Sequence, residues 1–457
     1  MSVIYMDRDS FNTLNESDIR RIYQENEINN MKYKKLYDYY IGKHDILKRV
    51  KKNNNDPNNH IVNNMCKYVT DSITGYSFGE PVVYTSQNDQ YLEKIQNIFD
   101  FNDEQDENTE VAKFGSIHGD CFELEYMDEN ANIRFAKVPA DQGVLIKDAA
   151  QEDGYLGFIR AIHSQDKRKN KILKIEFYTA TDVWYFRSES GASLELVNII
   201  EHYWNDVPVV EFQNNAERIG DYEGIISIVD AYNKVQSNTA NLFQYNDEAL
   251  MKITKMGDVT TDDVRDMRQK GAIILEDGGD VNWMTKEIND TALENYKNRL
   301  VTDMHLFSGV PNMSDGSFGG NLSGVAISYK MWSMDQIVKV KQRKFKRALQ
   351  RRIELITNIL NLFGANYDYR DIDIKFKRNM PQNKLENAQI VQMLSSMISQ
   401  ETALGMIDGI ENVNDEMEKI ENENADPEVK NGVYKNLANA FSLEGIENEQ
   451  EAETATA

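Results

Sequence analysis

The architecture of this chain is decided by residues 311–363, where the loop PNMSDGSFGGNLSG (311–324) precedes VAISYKMWSMDQIVKVKQRKFKRALQRRIELITNILNLF (325–363). In the second segment apolar residues recur at helical spacing, and no Pro or Gly interrupts them. The residues of this apolar face are Met334, Ile337, Phe345, Leu349, Ile353, Ile356 and Leu360. The pattern predicts one α-helix of about 58 Å, at 1.5 Å per residue. Because a domain of ordinary size is only about 30 Å across, such a helix must connect domains.

The residues before this segment predict a helical unit followed by a β-rich one. Helical periodicity runs through 15–50, 68–78 and 91–114. From Asp120 to Phe212 the pattern changes to short β-branched and aromatic stretches, such as CFELEYM and KILKIEFYT, with turn residues between them. This pattern predicts an antiparallel sheet region.

Helices are expected again in the second half of the chain. Residues 225–253 carry apolar side chains in a helical stripe at positions 228, 232, 235, 242 and 245. A second helix, over 291–307, is predicted to begin with a capping box formed by Thr291 and Glu294. Between the two helices, residues 256–288 predict short strands and turns.

Composition indicates a globular protein with several packed units. Of the 457 residues 40% are apolar and 28% are charged, and 75 acids against 51 bases give a formal charge of −24. No apolar run exceeds four residues, whereas a membrane-spanning helix needs about 20, so no membrane span is expected. The N-terminus lacks the apolar stretch of a secretory signal. Two cysteines, Cys66 and Cys121, exclude a disulfide framework and fit a reducing compartment.

Acidic and basic residues are concentrated in different segments of the chain. Residues 100–110 hold six acids and no base, whereas 339–352, inside the predicted long helix, hold eight bases and no acid. Residues 411–457 hold 13 acids and three bases, and much of this tail is expected to be mobile. For the basic run, a solvated helix face with contacts between residues four apart is the simpler interpretation, and DNA contact is the alternative.

Sequence signatures of catalysis are sparse. Gly42-Lys43 is the single Gly-Lys pair, and it lacks the preceding glycine that a nucleotide-binding phosphate loop requires. The six histidines form no pair with the spacing of zinc ligands. GSIHGD at 115–120 contains Ser, His and Asp, but catalytic triads assemble from distant segments. We therefore expect no catalytic residue, no metal site and no cofactor.

Several strings resemble those of bacteriophage portal proteins, the head-to-tail connectors of tailed phages, and specifically the group from long-tailed phages of Gram-positive hosts. The strings are YDYYIGKHDIL (37–47), NNHIVNNMCKYVTDSITGYSFGEPV (58–82), VPVVEFQNNAERIGDYEGIISIVDAYN (207–233), SGVAISYKMWSMD (323–335) and KFKRNMPQNKLENAQIVQML (375–394). They stand in the family's order, and the resemblance covers the chain from residue 37 to about 425.

The resemblance implies an α+β portal fold that assembles into a ring. This fold has a wing that is helical and then β-rich, a two-helix stem, a small α/β clip, a long spine helix and a helical crown. The implied parts of this chain are 1–220 (wing), 221–255 and 291–310 (stem helices), 256–290 (clip), 311–324 (tunnel loop), 325–364 (spine helix of the wing), 365–425 (crown) and 426–457 (acidic tail).

The resemblance also implies a function and partners. The ring, a homo-oligomer that is usually a dodecamer in this family, would occupy one capsid vertex and give double-stranded DNA a channel for packaging and ejection. It would dock the terminase and the head-tail adaptor, and contact the major capsid and scaffolding proteins, with no role for a membrane. Its place would be the virion and, during assembly, the host cytoplasm. It would not be an enzyme. The alternative is a sequence-independent DNA-binding component or a packaging-motor subunit.

Two groups of residues are candidate sites. The glycine-rich tunnel loop would line the narrowest part of the channel, and the residues expected near the DNA are Asp315, Ser317, Phe318 and Asn321. Its length of 14 residues exceeds the usual helix connection of about 2 to 8. A ring of head-to-tail contacts needs two different faces on each subunit. The basic residues expected to face acidic segments of a neighbouring subunit are Arg343, Lys346, Arg347 and Arg351.

Overall fold

The computed structural model describes most of the chain. The described residues are 2–51, 57–150, 154–165, 167, 169, 171–189, 193–247, 250–254, 260, 262, 265, 280–284, 290–313, 324–377, 391–394, 397–405, 413, 416–417 and 419–420. The chain divides into two compact units, of which the first comprises 1–315 and 330–379 and the second 316–329 and 380–457. The packing described below is that of the first unit.

The described residues form the following elements. The helices are α1 (Arg8–Asn12), α2 (Glu16–Tyr40), α3 (Met65–Phe78), α4 (Asp89–Phe101), α5 (Glu104–His118), α6 (Ile226–Asp247), α7 (Asp290–Ser308), α8 (Gly324–Leu362) and α9 (Gln400–Gly405). The strands are β1 (Val3–Met6), β2 (Val83–Thr85), β3 (Asp120–Met127), β4 (Ile133–Pro139), β5 (Gly143–Asp148), β6 (Tyr155–Gln165), β7 (Lys171–Tyr178), β8 (Asp182–Glu189), β9 (Glu195–Glu201), β10 (Val209–Gln213), β11 (Leu250–Thr254), β12 (Asp280–Met284) and β13 (Asp373–Lys375). The fold thus mixes helices and sheets.

The long helix predicted from residue 325 is confirmed. Helix α8 runs without a break from Gly324 to Leu362. The antiparallel sheet region predicted between Asp120 and Phe212 is confirmed as well, because every described pairing among β3 to β10 is antiparallel. Alternation of apolar and polar residues fixes one face of such strands against a core, and for that reason the sequence pattern located them correctly.

Two predictions at the ends of helices are wrong. Residues 250–253 were expected to continue a helix, but α6 ends at Asp247, and β11 pairs with β12 in the antiparallel register Leu250↔Met284. A β-strand partner in the tertiary structure thus overrides the local helical pattern. Thr291 is not a helix cap, because α7 already begins at Asp290, and the Glu294 carboxylate pairs instead with Lys297 Nζ at 2.8 Å.

The helix predicted from the apolar stripe of α6 is confirmed over Ile226–Asp247, but the stripe is not the most buried face of this helix. The most buried side chains in the middle of this helix are polar, namely Asn233 and Ser237, both at 0% exposure, Thr239 at 7% and Asn241 at 8%. The predicted apolar positions 228, 232, 235 and 242 are only half-buried, and the side chain of residue 245 lies outside the described part of the chain. The buried face of α6 contacts an extended segment of backbone that needs hydrogen-bond acceptors, which apolar side chains cannot supply.

Two sheets carry the β-rich part of the first unit. A six-stranded sheet has the order β1-β5-β6-β7-β8-β9, and a three-stranded sheet has the order β10-β3-β4. Strand β1 was not predicted, and it pairs with β5 in parallel, with Val3 opposite Leu145. Phe122 from one sheet and Phe158 from the other meet edge to face at a centroid distance of 5.1 Å, so the two sheets share a core.

Helix α2 covers the other face of the six-stranded sheet. It begins with a capping box. The Asn15 side chain accepts hydrogen bonds from backbone N–H groups of the first turn, and the Asp18 side chain accepts one from the backbone N–H of Asn15. Its residues Ile19 and Ile22 are buried against Ile159 and other apolar residues of the sheet. Burial of this apolar face, more than helix propensity, holds α2 in place.

The second half of α8 is embedded in a hydrophobic core of the first unit. Phe345, Leu349, Ile353 and Ile356 are all buried. They pack among residues of α4, α5 and the three-stranded sheet, together with the short β13 strand. Residues 365–377, which were included in the predicted crown, also pack in this unit, and β13 pairs with β2. The long helix is therefore held to the β-rich part of the chain by its C-terminal turns.

Candidate functional site

For the basic run of α8, residues 339–352, a solvated helix face was the simpler prediction and contact with DNA the alternative, and four of its residues were expected to face a neighbouring subunit. Most of its bases have partners within the same chain. Lys339 Nζ lies 2.8 Å from the carboxylate of Asp335, and Lys341 pairs with Asp221. The remaining pairs described in this run are Lys346 with Asp373 at 3.0 Å, Arg351 with Asp206 at 3.0 Å, and Arg352 with Glu104 and Glu123. All but the first of these ion pairs hold α8 to other segments of the same chain, and we call the run 339–352 the internal clamp.

Arg352 is the most deeply buried residue of this clamp, with 0% exposure. Its Nε and Nη2 donate to the two carboxylate oxygens of Glu123 at 2.7 and 2.6 Å. Its Nη1 donates to Glu104 at 2.9 Å and to the side-chain oxygen of Asn108 at 2.8 Å. The guanidinium also lies over the ring of Phe135, 4.6 Å from its centroid. Four strong hydrogen bonds and a ring contact thus compensate for the burial of one cation.

The carboxyl groups around Arg352 outnumber its single positive charge. Burial raises the pKa of Glu104, while Arg352 acts in the opposite direction. Burial first and the nearby Glu123 second raise the pKa of Glu125 well above its usual range. Both carboxyl oxygens of Glu125 are buried without a donor among the described residues. This environment favours the neutral form of Glu125, which lowers the number of negative charges buried around Arg352.

Arg351, the next residue, clamps the segment that leads into β10. It donates from Nε to the backbone oxygen of Val209 at 2.9 Å and from Nη2 to that of Val207 at 3.0 Å. Its guanidinium stacks over the ring of Tyr155, 3.9 Å from the centroid. Arg351 also lines a cleft of about 450 Å³, to which Lys344 and Arg347 contribute. Some basic side chains of α8 therefore stabilise the fold, and others line the cleft.

The GSIHGD string does not form a catalytic triad. Ser116 Oγ donates to Asp221 at 2.5 Å. Asp120 accepts a hydrogen bond from Ser2. His118 packs against Tyr33, with ring centroids 5.3 Å apart, and burial lowers its pKa to about 4. Since the three side chains have different surroundings, they cannot act in sequence on one proton.

Comparison with known proteins identifies the family. The family model described as "Phage portal protein, SPP1 Gp6-like" matches residues 19–429. The portal protein of Bacillus phage SPP1 is 24% identical over 377 residues, which cover 78% of this chain and 74% of that protein. The portal protein of Clostridium phage phiCD119 is 27% identical over 390 residues, which cover 77% and 83%.

The chain belongs to the SPP1 Gp6-like family of phage portal proteins.

A chain from the solved neck of an empty GTA particle is also similar, at 12% sequence identity and a TM-score of 0.47, over 74% of this chain and 86% of that one. The resemblance to phage portal proteins that five sequence strings indicated is thus confirmed by the family match.

The four predicted interface residues of this portal protein differ in exposure. Arg343 and Arg347 are exposed on α8. Lys346 and Arg351 are half-buried and bound to Asp373 and to the segment before β10. A contact with a neighbouring subunit remains a prediction for all four residues, and the exposed pair is the better placed to make it.

The candidate channel residues Asp315, Ser317, Phe318 and Asn321 lie outside the described residues. The start of their loop is described, and it is fixed to α3. Tyr68 donates its hydroxyl hydrogen to the backbone oxygen of Pro311 at 3.0 Å and accepts from the N–H of Met313 at 3.2 Å. The ring of Tyr68 packs edge-on against His305 of α7. Tyr68 therefore ties the loop start and the end of α7 to α3.

Sequence reasoning missed the partners of Arg352. Glu104 belongs to the acidic segment 100–110, and Glu123 and Glu125 alternate with apolar residues on β3. Two glutamates on one face of a strand within an apolar environment were the available signal. That signal does not reveal which of the eight bases of α8 they meet.

No metal cluster or membrane helix is found in the part of the chain that the structure describes. There, no group of three His, Cys, Asp or Glu side chains is arranged to hold a metal ion. Among the same residues, no helix combines the length and the apolar character that crossing a membrane requires. Cys66 and Cys121 are both free and buried.

Proposed function

We propose that this portal protein assembles into a ring, usually of twelve copies in this family, at one vertex of a phage capsid. Double-stranded DNA would pass through the ring during packaging and ejection, and the terminase and the head-tail adaptor would dock on it. It would contact the major capsid and scaffolding proteins, and its place would be the virion and, during assembly, the host cytoplasm. The observation that carries the proposal is the match of the portal family to residues 19–429.

The parts of the ring are proposed from the same family pattern. Residues 1–220 with α8 would form the wing and its spine, and α6 and α7 would form the stem. The clip would include the β11–β12 hairpin, so that it begins near residue 250 rather than 256. The tunnel loop would occupy 311–324, and the crown would begin after residue 377, because residues 365–377 pack in the first unit.

Exposed apolar side chains support an assembly of several subunits. On α7, Leu306 and Phe307 are 68% and 67% exposed. On the edge strand β9, Val197 and Ile200 are 65% and 49% exposed. Such surfaces commonly mark protein interfaces. Head-to-tail contacts between different faces of neighbouring copies would close the ring.

A passive channel fits the charge of the chain better than a DNA-gripping groove does. Most bases of the 339–352 run are paired internally, so they are poorly available to replace the counterions of DNA. A ring of chains that each carry −24 would also repel phosphates. The energy for packaging would then come from a separate motor, and this protein would act without catalysis.

Three measurements on the purified protein test this proposal. Negative-stain images are expected to show annular particles with a central hole, and a compact monomer would contradict the ring. DNA retention measured against salt concentration is expected to be weak throughout, whereas a DNA-binding component would bind tightly at low salt and release DNA steeply. ATP turnover that co-purifies with the ring would favour a packaging-motor subunit instead.

A further inference from the structure

Residues 57–64, PNNHIVNN, form a strap that lies along α6 and is neither helix nor strand. Three backbone N–H groups of the strap, at alternate positions, donate to side chains of α6. The N–H of Asn59 donates to Asn241 Oδ1 at 2.8 Å, and that of Ile61 donates to Ser237 Oγ at 2.9 Å. The N–H of Asn63 donates to Asn233 Oδ1 at 2.8 Å. These contacts form a ladder of polar rungs, one on each successive turn of the helix.

The ladder depends on a match between two repeats. Two residues of extended backbone span about 6.6 Å, and four residues of α-helix rise about 6 Å. Alternate N–H groups of the strap therefore meet every fourth residue of α6 without strain. The acceptors belong to the polar face of α6, which the sequence pattern did not predict.

A second attachment holds α6 nearer its start, and three of its four side chains, those of Tyr39, His44 and Asn233, are buried. Tyr39 donates its hydroxyl hydrogen to Asp230 at 2.8 Å, and Asn233 Nδ2 donates to His44 Nδ1 at 2.8 Å. His44 in turn donates from Nε2 to the backbone oxygen of Tyr39 at 3.0 Å, and the two rings stack. Tyr39 and His44 are 1% and 0% exposed. We call these four residues the anchor.

The strap and the anchor differ in exposure. No residue of the strap is buried, and Ile61 is 38% exposed. Water can therefore replace the hydrogen bonds of the rungs at Asn241 and Ser237 when they open, and little apolar area is lost. Opening the anchor would expose buried aromatic and polar groups together. Asn233 belongs to both attachments, so it lies where the releasable and the fixed parts meet.

We infer that the strap is a releasable latch on α6, which opens from its Asn59–Asn241 end while the anchor holds, and so lets the C-terminal half of α6 shift relative to α2 and α3. This inference rests on the proposed function, in which α6 is a stem helix of the portal ring. The latch would let the stem follow passing DNA without detaching from the wing.

A reversible crosslink tests the latch. The side chains of Asn59 and Asn241 are in contact, with Nδ2 of the first 2.9 Å from Oδ1 of the second, so Asn59→Cys with Asn241→Cys places two cysteines at facing positions. Formation of the disulfide is verified by the mass of the oxidised protein before rings are assembled. Rings are expected in both redox states. Particles assembled with the oxidised protein are expected to package several-fold less DNA than those with the same protein reduced. The reduced form and the two single-cysteine variants are matched controls, and native Cys66 and Cys121 are buried.

Equal packaging by oxidised and reduced rings would overturn the latch. Hydrogen exchange on the unmodified protein gives an independent test that does not depend on crosslinking. The amides of Asn59 and Ile61 are expected to exchange much faster than those of α6 next to the anchor, and equal protection would also overturn the inference. If the parent protein forms no rings or packages no DNA, the proposed function fails, while the exchange rates still decide whether the strap opens.

Discussion

Arg352 of α8 and Glu123 of β3 form a bidentate ion pair that is wholly buried. The two hydrogen bonds measure 2.7 and 2.6 Å, both side chains have 0% exposure, and the residues are 229 positions apart in the chain. The pair joins the long helix to the three-stranded sheet beside core residues Phe135 and Phe212. Its strength therefore bears on whether α8 stays attached to the rest of the first unit.

Replacing Arg352 should be strongly destabilising. Arg352→Met leaves the Glu123 carboxylate buried without its cation, which is expected to lower the free energy of unfolding by about 3–5 kcal/mol. Denaturant unfolding of the purified chain measures this. The matched control is Arg343→Met on the exposed side of the same helix, which should change the stability by less than about 0.5 kcal/mol. The double variant Arg352→Met with Glu123→Leu should recover part of the loss but not all of it, because Glu104 still lacks its cation. Equal losses in the single and double variants would contradict the argument.

Stability should fall as pH rises toward neutrality because of Asp120. Burial is the main cause that raises the pKa of this carboxyl from 3.8 to about 7. Between pH 4 and 7 the folded chain keeps a proton on Asp120 that the unfolded chain has lost, so the unfolding free energy decreases with pH, by at most about 1.4 kcal/mol per unit. Above pH 7 this contribution is constant. Asp120→Asn should flatten the slope of thermal stability over this window, and an unchanged slope would show that another group is responsible.

Charge reversal on α8 should separate assembly from folding. Arg343→Glu with Arg347→Glu, both on exposed positions, is expected to change chain stability much less than Arg351→Glu does, while it lowers the fraction of rings and makes assembly more sensitive to salt. Arg351→Glu should destabilise the chain itself, since Arg351 binds Asp206 and two backbone oxygens. Sizing chromatography at several salt concentrations, with denaturant unfolding in parallel, measures both effects. Normal rings that fail to pass DNA would place the exposed pair in the channel.

Shortening the tunnel loop should affect DNA and not assembly. Deletion of residues 316–321 leaves the contacts of Tyr68 with Pro311 and Met313 in place, so the end of α7 keeps its attachment to α3. We expect normal rings in negative stain and less packaged or retained DNA, because the loop would no longer reach the channel. Packaging at the parental level would refute the assignment of this loop to the constriction.

Gly309 should not tolerate a side chain. It follows α7 with φ of +70°, in the left-handed region, and an added Cβ would lie 2.5 Å from Ile337 Cδ1 of α8. Gly309→Ala is expected to lower the unfolding free energy by about 1–2 kcal/mol from backbone strain, with a further loss from the clash. Ile337→Val removes the clashing methyl group. The double variant should therefore recover the stability lost to the clash but not the stability lost to backbone strain. Full recovery would show that backbone strain is negligible at this position.

The sequence by itself determined the elements whose periodicity is long and regular. Helix α8 was predicted to within one residue at each end, because 39 positions without Pro or Gly repeat one apolar face. The strands from Asp120 to Phe212 were predicted from their alternation, and five strings in order were enough to indicate the portal family. These signals are local, since each depends on residues a few positions apart.

Only the tertiary structure decided which residues meet. The acidic segment and the basic run were visible in the sequence, but the pairing of Arg352 with Glu104, 248 positions away, depends on how α5 and α8 pack. The polar face of α6 likewise has meaning only beside the strap, whose backbone N–H groups require acceptors. Periodicity reports that a face is buried, and it carries no information on what that face is buried against. Partners distant in the chain are set by topology, because the free energy of a buried charge depends on its whole three-dimensional surroundings.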